Sequence, residues 1–96
     1  MAINTGQALA LVKYRLNRLQ SDTTLDAYLT ARINAAAAEL EGTGITLTES
    51  AEDLLLVVDY AVWQYQNRDS AETMPPWLRL RRRERWVRDG VGGAGA

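Results

Sequence analysis

The side chains with the most binding chemistry in this 96-residue sequence are concentrated in one stretch, from Trp77 to Arg88. It carries Trp77, Arg79, Arg81, Arg82, Arg83, Arg85, Trp86 and Arg88. Guanidinium groups are planar forks of donors suited to carboxylates and phosphates. Indoles anchor protein interfaces or stack on bases. Covalent and acid–base chemistry is poorly supplied by comparison. The chain has no His and no Cys, so the usual proton carrier at neutral pH, thiolate nucleophiles, disulfides and His/Cys metal sites are all missing. Lys13 is the one lysine and sits in an amphipathic segment with no neighbour that would activate it as a nucleophile. Glu49, Glu52 and Asp53 cluster, but at the first turn of a predicted helix, where negative charge complements the helix dipole. Gly42-Thr43-Gly44 lacks the Gly-Lys-Ser/Thr continuation of a phosphate loop. No loop has the oxygen spacing of a Mg²⁺ or Ca²⁺ site. No catalytic, cofactor-binding or metal-ligating residue is assigned, and an enzyme is not expected.

Charge is unevenly distributed behind a formal net value of −1. Residues 1–78 hold five basic and ten acidic side chains, whereas residues 79–89 hold six Arg against Glu84 and Asp89. An acidic body with a basic end suggests two electrostatic tasks. Nucleic-acid binding is one reading, with arginines on phosphates and Trp77 and Trp86 on bases. The acidic remainder and a pI near 5.3 speak against it. A protein-docking element is the other, since Trp and Arg also dominate interface hot spots. No apolar run approaches a membrane span and no signal-peptide pattern opens the chain, so use in a cytoplasm, or in something assembled there, is expected.

The elements that must carry these residues read as helices. The first is expected from Thr5 to Gln20, with Ala8, Val12, Leu16 and Leu19 at helical spacing. A second should follow Ser21-Asp22-Thr23, where Thr23 and Asp26 resemble a capping box, and stop at Gly42. Leu25, Leu29, Ile33, Ala36 and Leu40 form its large-residue stripe. Ala27, Ala31, Ala35 and Ala38 form a smooth second side, explained equally by close helix approach or by helix propensity. Thr48 or Ser50 should cap a third helix reaching Asn67. Its main stripe is Ala51, Leu54, Leu55, Val58, Ala61, Val62 and Tyr65, with Leu56, Tyr60 and Trp63 opposite. A helix apolar on two sides is covered twice. Either the other helices wrap it or, as we favour from the aromatic content, Leu56, Tyr60 and Trp63 meet another subunit. Met74-Pro75-Pro76 then starts a last helix with no single docking stripe. The fold class expected is all-α: a small bundle of three main helices plus a C-terminal Arg-rich helix. Residues 1–73 form the bundle core, 74–88 the docking helix and 89–96 a flexible Gly/Ala-rich tail.

The order of these features resembles the small head–tail connector proteins of tailed bacteriophages, over about residues 5 to 88. The helix Leu25–Leu40 closed by Glu41-Gly42-Thr43-Gly44 carries part of the likeness. The rest lies in the long helix ending Tyr65-Gln66-Asn67-Arg68-Asp69 and the Met74-Pro75-Pro76 entry. The resemblance implies a structural adaptor that forms a ring, usually dodecameric, beneath the portal protein and above a second neck or tail-completion protein. DNA would pass through its lumen, the site would be the virion neck, and assembly would occur in the host cytoplasm. Family members often carry a more apolar final helix, so the arginines here leave open whether it meets portal, a neighbouring adaptor or DNA.

Overall fold

The computed structural model describes residues 3–69 and 73–88. Among them are four α-helices and no strand: α1 (Thr5–Arg15), α2 (Asp26–Gly42), α3 (Ala51–Gln66) and α4 (Pro76–Trp86). The protein is thus a small all-α bundle. The tail expected at 89–96 lies outside the described residues.

Asn4 caps α1, its side-chain oxygen accepting from Gln7 N–H at 3.0 Å. The helix ends well before the expected Gln20, because Asn17 takes the left-handed conformation at φ 58°. The Arg18 N–H then bonds to the Lys13 carbonyl and the Asn17 N–H to the Tyr14 carbonyl. This is a Schellman closure with Asn at the position usually held by Gly. Lys13 is buried and secures the returning loop: its ammonium donates to the Gln20 carbonyl at 2.8 Å. It also lies 3.0 Å from Asp26 Oδ1, an ion pair that ties α1 to the start of α2.

The capping box expected from Thr23 and Asp26 does not form. Asp22 instead accepts from the backbone and hydroxyl of Thr24, and Leu25 is an N-cap without a side-chain bond. The apolar stripe of α2 is as expected from its period, with Leu29, Ile33, Ala36, Ala37 and Leu40 buried. The second alanine side, Ala27, Ala31, Ala35 and Ala38, faces solvent.

Ser50 caps α3, its hydroxyl accepting from Asp53 N–H. This helix is the centre of the bundle and packs against α1, α2 and α4. Its buried residues run unbroken from Leu56 to Val62. Leu56 and Tyr60, expected to meet another subunit, are 2% and 7% exposed within the chain itself. Trp63 is half-buried, edge-on to the Tyr60 ring at 6.1 Å. For Leu56 and Tyr60 that expectation is therefore corrected to the wrapped-helix alternative. Conversely, Ala51 and Leu55, counted in the main stripe, are exposed. Pro75 is extended and Pro76 opens α4, where a missing N–H costs nothing.

Candidate docking site on the C-terminal helix

α4 reaches the bundle through one fully buried apolar side chain, Leu78. The rest of its inward face is cationic. Leu78, Arg81, Arg85 and Arg88 follow one another at three, four and three residues, the spacing that places side chains on one side of a helix. Each of these arginines meets a carboxylate of α3. Arg85 Nε donates to Asp53 Oδ1 at 2.7 Å and Nη2 to Oδ2 at 3.1 Å. Nη2 also donates to the Thr46 carbonyl at 2.7 Å. Arg81 pairs with Asp59, which also receives Arg15 from α1. Arg88 makes a two-pronged contact with Glu52. Asp59 thus joins three helices through one carboxylate.

Asp53 is the pivot of this ladder. It is 1% exposed, and it also accepts from the Thr48 backbone N–H at 2.7 Å and the Thr48 hydroxyl at 2.8 Å. Burial alone would push its carboxyl up. The bonds from Arg85 and from both Thr48 donors together outweigh that and hold it below the ordinary carboxylate value. The Glu52 carboxyl is also lowered, by the bond from Arg88, but that pair stands in water and contributes little to stability. Two turns further along α3, burial and then the bond to Glu39 raise the Tyr60 phenol above its usual value. Its hydroxyl donates to Glu39 Oε2 at 2.9 Å and also receives Arg82.

The arginines expected to dock a partner therefore divide into two groups. Arg81, Arg85 and Arg88 are turned onto the chain's own carboxylates. For buried Arg85 the assignment as a partner contact is corrected, because the desolvated Asp53 requires its charge. Arg79, Arg82 and Arg83 have no carboxylate partner among the described residues. With Trp86 and Thr43 they line an open cleft of about 570 Å³ between α4 and the end of α2. The Trp86 indole lies over Gly44, its Nε1 3.1 Å from where a Cβ would stand. Gly44 also has φ +108°, so glycine is needed there for both conformation and space. On the outward face Leu80 and Val87 are exposed, Leu80 by 55%, and Trp77 is exposed at the edge of the arginine ladder, its ring centre 5.8 Å from the Arg81 guanidinium.

Reading the sequence for apolar periodicity missed Glu52, Asp53 and Asp59 as partners and the stacking of Trp86 on Gly44. One signal was present: Asp59 stands inside the otherwise apolar run Leu54–Val62, where a lone carboxylate needs a cation. Among the described residues there is no cluster of acidic side chains able to hold a metal ion, and no helix is long and apolar enough to cross a membrane. Comparison with protein-family models, curated proteins and solved structures finds no match.

Proposed function

We propose that this chain is a non-catalytic structural adaptor of a tailed-phage neck, assembling as a ring beneath the portal and docking through the outward face of α4. The observation that carries the docking part is the orientation of α4. Its arginine ladder occupies the inward side, which leaves Leu80 and Val87 exposed on the other and Trp77 exposed at the ladder's edge, beside Arg81. Large apolar side chains beside free guanidinium groups make a composition typical of interface centres. The phage identity comes from the Tyr65–Asp69 string, the Met74-Pro75-Pro76 entry and the helix order. A ring needs a contact in which two different patches of the same protomer meet. With Leu56 and Tyr60 buried, exposed Tyr14 in the last turn of α1 and Leu19 just beyond it are the residues we assign to one side of that contact. The nucleic-acid alternative is weakened, since three of the six arginines it relied on are neutralised within the chain.

Electron microscopy of the full chain mixed with portal tests the reading. A rotationally symmetric collar is expected with the native chain, and its loss with Trp77→Ala/Leu80→Ala at unchanged helicity. Absence of any collar with the native chain refutes the adaptor function.

A further inference from the structure

The same helix carries a second feature that its orientation alone does not explain. Arg79, Arg82 and Arg83 are three and four residues apart on α4, where like charges destabilise a helix. Arg81, Arg85 and Arg88 all find carboxylates on α3, whereas among the described residues no acidic side chain lines the cleft that holds Arg79, Arg82 and Arg83. The cleft is open to solvent, and Trp86 gives it one flat apolar wall. That wall is fixed in place, because the indole lies against the backbone of Gly44. Arg82 is fixed as well, being half-buried and in contact with the Tyr60 hydroxyl. Beside these two packed groups, Arg79 and Arg83 are exposed.

We propose that this cleft receives an acidic segment of a partner protein, with neighbouring Asp or Glu carboxylates on the guanidiniums and an apolar residue against Trp86. The inference rests on the adaptor reading in taking the occupant to be a protein. Charge supports that choice over nucleic acid. A duplex presents about one charge per 1.7 Å, and affinity for it grows with the number of phosphates neutralised. Here the arginines of α4 without a carboxylate partner among the described residues number three, gathered at one cleft, and the chain as a whole is at −1. A short segment with two or three carboxylates matches that number, and planar guanidiniums bind carboxylates in two-pronged fashion. The chain itself does this at Arg85 and Asp53.

The test uses the full chain and two labelled probes, a short peptide of alternating Glu and Leu and an oligothymidylate of similar charge, with binding read by fluorescence anisotropy. The native chain should bind the peptide saturably and more tightly than the oligonucleotide. Arg79→Ala/Arg83→Ala should weaken peptide binding by about tenfold or more, with helicity by circular dichroism unchanged because neither side chain has a partner among the described residues. Arg32→Ala, a charge removed from α2 outside the cleft, should change affinity by less than about twofold. Equal peptide affinity in the double variant would overturn the proposal, as would no saturation up to about 1 mM. Tighter oligonucleotide binding that is lost in the same variant would make the cleft a nucleic-acid site instead. Collar formation is scored separately. A chain that binds peptide in the cleft but forms no collar refutes the adaptor and not the cleft; one that forms a collar without binding peptide refutes the cleft alone.

Discussion

Replacing Arg85 by Met tests whether α4 is held by charge. The substitution keeps much of the apolar stem but removes the guanidinium, leaving Asp53 buried with the two Thr48 donors as its remaining partners. An exposed pair would contribute about 0–1 kcal/mol. Breaking a buried pair costs about 3–5 kcal/mol, because one charge is left without compensation. Asp53 at 1% exposure and Arg85 at 9% belong to the second regime. A chain of this length has a total stability of about 5–14 kcal/mol, so the single change should remove a large part of it. Asp53→Leu should cost a similar amount, since it takes the carboxylate from buried Arg85 and the acceptor from the Thr48 N–H. The double variant should cost less than either single one, with a residual of about 1–2 kcal/mol from the unsatisfied Thr48 donor. Urea unfolding followed by circular dichroism gives all four corners of the cycle. A loss below about 1 kcal/mol for Arg85→Met, or additivity in the double variant, would refute the buried-ladder account.

Acid should loosen the same joint. A carboxyl held below its ordinary value stabilises the fold above that value and loses the contribution as pH falls through the lowered one. Stability to urea should thus fall below about pH 4, and Arg85→Met should flatten this fall; an identical acid profile in the variant would count against Asp53 as the group responsible. Gly44→Ala should cost about 1–3 kcal/mol through its positive φ and displace Trp86, seen as a lower unfolding midpoint with a shifted Trp emission; an unchanged midpoint would contradict the close packing of Trp86 on Gly44. Leu78→Ala should cost about 2–4 kcal/mol by emptying the apolar contact of α4, whereas Leu80→Ala should stay within about 0.5 kcal/mol. Equal losses from the two in urea unfolding would mean that the inward and outward faces of α4 have been exchanged.

The helices were legible because their signals are local. Leu29, Ile33, Ala36 and Leu40 repeat at helical spacing and are buried together, and Ser50 caps α3. The end of α1 was misjudged because Leu16 and Leu19 continue the pattern while Asn17 turns left-handed, a conformation Asn tolerates without announcing it. The second apolar side of α3 was correctly seen to need a cover. Which cover it has could not be read from α3, because α4 brings guanidinium stems rather than an apolar stripe, and hydrophobic periodicity does not register those.

The Trp77–Arg88 segment separates the two kinds of information most clearly. Its helical state, its proline entry and its excess of positive charge follow from residues within a few positions of one another. Side-chain type alone also determined that the chain contains no His or Cys chemistry. Six arginines on one short helix are locally equivalent, however, and no local rule ranks them. Tertiary structure ranks them through residues far away in the chain: Asp53 and Asp59, desolvated at the centre of the bundle, require Arg85 and Arg81. The rotation of α4 that satisfies them leaves Arg79, Arg82 and Arg83 lining the cleft beside Trp86. Electrostatic compensation of buried charge is a long-range condition, and it decided which arginines hold the fold and which remain available to a partner.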